Sequence, residues 1–292
     1  MIKKTFGERV ANIIIVFLLL CFSLAALYPM LYVLFASVSD AGLFAKHSGP
    51  LLYPTGFSLS AYEKVFTKPE IYTGYGNTIF YVVVGTLISL FVTMTFAYVL
   101  SRKGLYWNKF LSVMALITMY FSGGLIPTYL VVKGLGLTDT RWAILLPTAL
   151  STYNMIIMRL GFASIPDSLE EAAKIDGASP MKTLFSIIIP LAMPTIAVIA
   201  LYYAVAQWNS WFQAAIYLRS MNLYPLQLFL REILIENTQT DMLMATNSAD
   251  MMALSEIIKY ATIIVSVIPI LCLYPFLQKY FTKGVMIGAV KE

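Results

Sequence analysis

The chain of 292 residues is 59% hydrophobic and only 12% charged, a composition that excludes an ordinary soluble globular domain. Its formal net charge of +5 does not indicate nucleic-acid binding, because the basic residues lie at the ends of apolar runs, where they act as membrane-topology signals. The single histidine, His47, lies in a predicted loop, which argues against a histidine-based metal site or catalytic triad.

The apolar runs predict an all-α, polytopic membrane protein, because a helix needs about 20 apolar residues to cross a bilayer. We expect residues 1–292 to form a single transmembrane domain with six transmembrane helices. The predicted spans are residues 12–36, 77–100, 110–132, 142–158, 184–206 and 257–277.

The first apolar run follows three basic residues, Lys3, Lys4 and Arg9, and such a start is also typical of a secretory signal peptide. The run is longer than the apolar core of a signal peptide, which has about 7 to 15 residues. We therefore interpret it as a retained first helix.

The third span contains Gly123, Gly124 and Pro127, which loosen or kink a helix. Irregular backbone inside a membrane is tolerated where it faces protein or a watery cavity. The sequence leaves two interpretations open, an ordinary packing kink and a bend that faces a substrate.

Residues 165–190 form a long polar interruption with helix signals on both sides. Ser168 and Glu171 have the spacing of a capping box, and Gly177 is placed for a left-handed C-cap. Ser179 and Pro180 then restart a helix with a capping serine and a proline at its first position. This pattern predicts a short helix over about residues 168–177, followed by a turn and the fifth span.

The short helix has two predicted faces. Leu169, Ala172 and Ala173 fall on one side, whereas Glu170, Glu171 and Lys174 fall mostly on the other. The adjacent alanines predict a smooth patch that another protein could approach closely. A solvated connecting helix is the alternative interpretation.

Six spans place both termini and the short helix on one side of the membrane. Twelve of the 20 Lys and Arg residues fall on that side, and the other eight lie mostly in two long loops, which count least. This asymmetry predicts that both termini and the short helix are cytoplasmic.

The chain lacks an energy source of its own. The apolar interiors of the spans contain no Asp, Glu, Lys or Arg, which argues against an ion-coupled carrier. No Gly-Lys dipeptide occurs, so a P-loop for ATP is excluded as well. A transporter of this kind requires a motor partner that acts on its cytoplasmic side.

The stretch Glu171-Ala172-Ala173, followed by Gly177, Ile187 and Pro190, resembles the "EAA" signature of permease subunits in binding-protein-dependent ABC importers. The match departs from the signature only at Ile189, where Leu is usual, and Asp176 extends it. In that family the short helix is the coupling helix, which docks on a separate ATPase subunit. The residues that the resemblance assigns to ATPase coupling are Glu170, Glu171, Ala172, Ala173, Asp176, Gly177, Ile187 and Pro190.

Other stretches narrow this resemblance to carbohydrate importers. The Trp208-Asn209 pair is similar to that of sugar-importer permeases, and the tail, residues 278–291, is similar to the maltose-importer-like branch. Residues 121–129 resemble the subgroup that handles complex oligosaccharides and polysaccharide fragments. The resemblance implies a transport subunit without enzymatic activity, located in the bacterial cytoplasmic (inner) membrane.

The implied assembly contains a second homologous permease subunit, two ATPase subunits and an extracytoplasmic solute-binding protein. The chain itself would bind no cofactor or metal, since ATP and magnesium belong to the ATPase.

Aromatic faces suit sugar rings, and amide side chains can fix their orientation. The candidate substrate path is therefore Trp208, Asn209, Trp211, Gln213, Tyr217, Tyr203 and Tyr120, with Tyr202 beside it. An interfacial aromatic belt and ordinary core packing are the alternatives for these residues.

Two other functions are weighed against a saccharide permease. A membrane-embedded enzyme or scaffold would need a catalytic constellation, and the sequence contains none that is recognisable. An amino-acid importer permease shares the coupling signature, but it fits the tail and the long aromatic outer loop poorly.

Overall fold

The structure is a computed structural model that describes residues 6–102, 106–243 and 254–272. Within these ranges the fold is all-α, as predicted, and no strand occurs. The α-helices are α1 (Phe6–Ser37), α2 (Ala41–Lys46), α3 (Ser60–Phe66), α4 (Pro69–Ser101), α5 (Asn108–Tyr120), α6 (Leu125–Gly134), α7 (Trp142–Leu145), α8 (Thr152–Ala163), α9 (Asp167–Ile175), α10 (Pro180–Thr183), α11 (Ile189–Leu191), α12 (Met193–Trp208), α13 (Phe212–Tyr217), α14 (Leu226–Leu243) and α15 (Leu254–Cys272).

Three of these helices, α1, α4 and α15, are long and apolar enough to cross a membrane. They coincide with the first, second and sixth predicted spans, although α1 and α4 begin several residues earlier than predicted. The last residues of the sixth predicted span, 273–277, lie outside the described residues.

Two further spans are bent helix pairs. The third predicted span is the pair α5 and α6, which meet at 113° across residues 121–124. Gly124 at this corner has φ of 85°, a backbone conformation that favours glycine. The fifth predicted span consists of the helical stretch Pro180–Leu191, which includes the π-helical turn Leu184–Ile188, and of α12, at 88° to that stretch. Counting each bent pair as one span gives up to five spans by length and composition in the described residues.

The fourth predicted span, residues 142–158, is not one continuous helix. α7 ends at Leu145, and α8 begins only at Thr152 and continues beyond Arg159 to Ala163. Pro147 in the gap has no N–H to continue the helical hydrogen bonds. The Ser151 side chain instead caps a new helix by accepting a hydrogen bond from the Asn154 N–H.

The described residues divide between two compact units, Met1–Pro69 with Leu230–Ile268 and Glu70–Phe229 with Pro269–Glu292. The second unit contains α9 and the residues that surround the cavity described below. Its largest core cluster joins α4, α8 and the stretch from α10 to α12. The buried members are Ala97, Tyr98, Leu100, Met155, Met158, Phe162, Ile165, Leu184, Ile188, Ala192, Ile196, Ile199 and Tyr203.

A glycine permits close packing inside this cluster. A Cβ atom on Gly161 of α8 would lie 2.7 Å from Oγ1 of Thr195 in α12, which is closer than real Cβ contacts. Small residues at helix interfaces are typical of membrane bundles, where dispersion contacts rather than water exclusion hold helices together. Gly161 therefore determines how closely α8 approaches α12.

Candidate functional site

The second unit contains a cavity of about 1340 Å³. Its wall is built by α4, by the break between α7 and α8, by the start of α8, and by the chain from α12 into α13. Most of its large side chains are aromatic or amide-bearing, namely Tyr153, Asn154, Tyr202, Tyr203, Gln207, Trp208, Asn209, Trp211, Phe212 and Gln213. None of the described residues in this wall carries a charge. The cavity therefore offers flat apolar faces together with neutral hydrogen-bonding groups.

Tyr203 connects three elements of the wall. Its hydroxyl lies 2.6 Å from the Thr93 hydroxyl in α4 and accepts a hydrogen bond of 3.0 Å from the Ser151 N–H. Only 4% of the residue is exposed. Because Ser151 caps α8, Tyr203 fixes the place where the broken fourth span restarts.

Gln207 is a buried amide in the same wall. Its Nε2 donates a hydrogen bond of 3.1 Å to Thr148 Oγ1, next to the break between α7 and α8. A Cβ atom on Gly85 of α4 would lie 2.9 Å from this Nε2 atom. The absence of a side chain at Gly85 therefore leaves room for the Gln207 amide.

The short polar helix α9 spans Asp167–Ile175, close to its predicted position. The predicted capping box is wrong, because Pro166 occupies the N-cap position and places Ser168 inside the first turn. At the other end Gly177 has φ of 75°, and the Ala178 N–H donates to the Ala173 carbonyl at 2.9 Å. This is the predicted left-handed C-cap.

The two faces of α9 differ from the prediction. Glu170 and Ala173 are buried against the chain, whereas Glu171 and Ala172 are exposed. The two adjacent alanines therefore point to different sides, because successive helical residues are about 100° apart. Leu169 and Ile175 are also exposed, at 42% and 86%, so the free face of α9 is largely apolar with acidic residues beside it.

Glu170 is buried because it has a cationic partner. Its Oε2 lies 3.0 Å from Nε of Arg102, the residue that follows α4, although the N–H is not directed at the oxygen. Its Oε1 accepts a hydrogen bond of 3.3 Å from the Tyr98 hydroxyl and lies 3.3 Å from Nζ of Lys174. A carboxylate buried with such partners is tolerated where an isolated one would not be.

Elsewhere in the second unit, Asp139 joins two loops. Its carboxylate accepts hydrogen bonds from the Ser220 hydroxyl at 2.6 Å and from the Arg219 and Ser220 N–H groups at 2.8 Å each. The hydrogen bond from the Ser220 hydroxyl, followed by those from the two N–H groups, holds the pKa of Asp139 below its usual range. The ionised carboxylate thus fastens the loop that follows α6 to the segment that follows α13.

Comparison with known protein families identifies the kind of protein that has this uncharged cavity and this short helix with an apolar free face. A family model described as "Binding-protein-dependent transport system inner membrane component" matches residues 1–287. The chain belongs to this family. It is thus a helical, multi-pass membrane component of a transport system and not a catalytic subunit.

Curated relatives of this family extend over nearly the whole chain. The Polygalacturonan/rhamnogalacturonan transport system permease protein YtcP of Bacillus subtilis (strain 168) is 41% identical over 97% of this chain and 99% of its own. Protein LplC of the same organism is 42% identical over 90% of this chain and 88% of its own.

A solved structure is similar over almost the same length. One chain of a bacterial ABC transporter involved in the import of the acidic polysaccharide alginate superimposes with a TM-score of 0.84 at 34% identity, covering 96% of this chain and 100% of that chain. A second chain, from a bacterial alginate ABC transporter in complex with an alginate pentasaccharide-bound periplasmic protein, matches with a TM-score of 0.53 at 12% identity and supports the fold alone.

The predicted substrate-path residues of this family member are largely brought together. Five of the seven line the cavity, namely Trp208, Asn209, Trp211, Gln213 and Tyr203. Tyr217 does not, because its ring stacks on Tyr129 at 6.1 Å and is buried in a separate cluster. Tyr120 also lies outside the wall, at the exposed end of α5.

Sequence reasoning missed several wall residues. Tyr153 and Asn154 line the cavity because the fourth span breaks before them, and Gln207 lines it from within the fifth span. The sequence did contain a signal for Gln207, because an amide side chain at the end of an apolar run indicates a polar contact inside the protein. The break after α7 had no comparable signal beyond Pro147.

The predicted coupling residues separate into two groups. Glu171, Ala172, Asp176, Gly177 and Pro190 are exposed, whereas Glu170, Ala173 and Ile187 face the chain. Ile187 packs against the core cluster of α4, α8 and α12 from within the π-helical turn. The tail, residues 278–291, which resembles the maltose-importer-like branch, lies outside the described residues.

Proposed function

We propose that this chain is the permease subunit of an ATP-driven importer that moves an oligosaccharide or a polysaccharide fragment across the bacterial cytoplasmic membrane. The observation that carries this proposal is the uncharged cavity of about 1340 Å³ with its aromatic and amide wall. Sugar rings present apolar faces that stack on aromatic side chains and hydroxyl groups that bond to amides. The polygalacturonan/rhamnogalacturonan permease YtcP and the alginate importer are named for saccharide transport, which favours this function over an amino-acid importer.

Within the cavity the substrate would contact the exposed parts of the wall. Trp211 and Tyr202 supply partly exposed ring faces, and Asn209 and Gln213 supply amides that are not fully buried. Tyr203, whose hydroxyl is already engaged by the protein, would contribute only its ring. Trp211 has the largest ring system among these partly exposed groups, so its loss should weaken saccharide binding most.

The proposed assembly contains a second homologous permease, two ATPase subunits and an extracytoplasmic solute-binding protein. The free face of α9, with Leu169, Ala172 and Ile175 beside Glu171, is a surface that an ATPase groove could cover. Both termini and α9 would then face the cytoplasm. The ATPase subunits would bind and hydrolyse ATP. The binding of ATP to them would switch the permease pair between outward and inward access.

The test is uptake of labelled galacturonate oligosaccharides, and of neutral oligosaccharides of the same length, by the assembled importer in proteoliposomes. Trp211→Ala should raise the half-saturating concentration about two- to tenfold, the range of one aromatic contact. Tyr120→Ala is the control, because it also removes an aromatic ring but lies outside the wall. Equal effects of the two substitutions would contradict the proposed path.

A second experiment tests the docking surface. Glu171→Lys reverses a charge on the free face of α9, and Gly177→Leu strains its left-handed C-cap. Both variants should insert into the membrane but lose transport and the co-purifying ATPase. Normal transport and normal ATPase binding in both would show that α9 is not the docking element.

A further inference from the structure

One face of α9 is free, and the other is attached to the rest of the chain mainly by Glu170. The chain enters α9 through Pro166 and leaves it through the left-handed turn at Gly177. These short connections alone would let the helix pivot. Glu170 and Ala173 are the members of α9 that are buried against neighbouring elements.

Arg102 is the group to which Glu170 is attached. Besides its ion pair with Glu170, its Nη1 lies 3.8 Å from the Asp167 carboxylate, and its Nη2 donates to the Phe162 carbonyl at 3.4 Å. Its guanidinium also lies 5.1 Å from the centre of the Tyr98 ring. The side chains of Arg102 and Glu170 are only 15% and 10% exposed, so water screens their attraction poorly.

Arg102 belongs to the end of a helix that reaches the cavity. α4 is unbroken from Pro69 to Ser101, and it contributes Tyr98 to the core cluster. Further along the same helix Thr93 is hydrogen-bonded to Tyr203, and Val82 and Thr86 line the cavity. A displacement of the Arg102 end is therefore carried along one rigid element to the cavity wall.

We propose that Arg102 and Glu170 are positioning residues that transmit the movement of α9 into α4, and so from the ATPase side to the cavity. The transmission role rests on the proposed function, because it requires an ATPase bound to α9. The contact between Arg102 and Glu170 does not depend on that function, because both residues lie in this chain. Glu170 thus acts differently from its neighbour Glu171, which faces outward. A buried ion pair suits such a role, because removing one partner leaves an unpaired buried charge and frees the helix to move alone.

The experiment compares Arg102→Met, the isosteric Glu170→Gln and the double variant in the assembled importer. Both single variants should retain ATP hydrolysis and the co-purifying ATPase, while the amount of galacturonate oligosaccharide imported per ATP falls about tenfold. The double variant should be no worse than the more severe single variant, because both changes break one connection. Arg102→Lys, which keeps the charge but lacks the forked donors, should restore transport only in part.

Arg159→Met is the matched control, because Arg159 lies in α8 and donates to Ser112 at 3.0 Å rather than to α9. It should leave the import per ATP unchanged. An unchanged ratio in Arg102→Met and Glu170→Gln would overturn the proposal. Loss of the ATPase from both variants would overturn it too, since Glu170 would then serve only to shape the docking surface.

Amide hydrogen exchange on the purified full chain provides a readout that needs no substrate. Residues 167–175 should exchange about tenfold faster in Arg102→Met than in the unaltered protein, while α12 stays unchanged. Absence of any saccharide uptake by the unaltered assembly would refute the proposed function. In that case amide hydrogen exchange alone would test whether Arg102 attaches α9 to α4. An unchanged exchange rate at residues 167–175 in Arg102→Met would overturn the proposal.

Discussion

Removing the Tyr203 hydroxyl should destabilise the chain more than its small size suggests. Tyr203→Phe leaves the Ser151 N–H without its acceptor. It also removes the hydroxyl that lies 2.6 Å from the Thr93 hydroxyl and is hydrogen-bonded to it. Leaving a buried donor unsatisfied costs about 1–3 kcal/mol, and the part-buried Ser151 N–H falls in the lower part of this range. The Thr93 hydroxyl can turn to a carbonyl of its own helix, so it adds little to this cost. We therefore expect Tyr203→Phe to lower the free energy of unfolding by about 1–2 kcal/mol.

The assay is a denaturation series in detergent micelles with a double-mutant cycle. Thr93→Val should cost about 1 kcal/mol, because it removes only one hydrogen bond and leaves Tyr203 bonded to Ser151. The double variant of Thr93→Val and Tyr203→Phe should lose less free energy of unfolding than the sum of the two single losses, since the hydrogen bond between the two side chains is lost only once. Tyr202→Phe, on the partly exposed neighbour, is the control and should stay within about 0.5 kcal/mol. Equal stability of Tyr203→Phe and the unaltered protein would refute the role given to this hydroxyl.

Two further predictions concern packing and pH. Gly161→Ala should lower the free energy of unfolding by about 1–2 kcal/mol, because overpacking against Thr195 outweighs the better helix propensity of Ala. Gly76→Ala, which meets no neighbour within 4 Å, is the control and should be neutral or stabilising in the same denaturation assay. The stabilisation that ionised Asp139 provides is fully present above its ordinary pKa, about 4, and is lost as the pH falls through its lowered pKa. Asp139 has φ of 60°, a left-handed conformation that glycine also adopts, so Asp139→Gly should keep the backbone but remove this acid dependence. An unchanged pH profile of stability in that variant would contradict the assignment.

The parts of the fold that sequence predicted well depend on local chemistry. Continuous apolar runs predicted α1, α4 and α15, although α1 and α4 begin six and eight residues earlier than the predicted spans. Gly177 forms the predicted left-handed C-cap, and Ser179 accepts a hydrogen bond from the Lys182 N–H as the predicted N-cap. Each of these features is decided by residues a few positions apart.

The parts that sequence did not predict depend on distant residues. Glu170 is buried because Arg102 lies beside it, whereas helical periodicity alone placed it on one face with Glu171 and Lys174, both of which are exposed. Tyr217 does not line the cavity with the other predicted substrate-path residues, because its ring stacks on Tyr129 of α6. The division of the fourth span follows from Pro147, but its new start depends on the Tyr203 hydroxyl. Contacts of this kind become visible only once helices are placed side by side.

The most direct test of the account is whether this chain moves saccharide only when a partner hydrolyses ATP. Uptake of a labelled galacturonate oligosaccharide into proteoliposomes should require the ATPase, ATP and the solute-binding protein together. The purified chain on its own should release no phosphate from ATP and accumulate no saccharide. Uphill uptake by the chain without an ATPase partner would contradict the claim that it is a passive permease moved through α9.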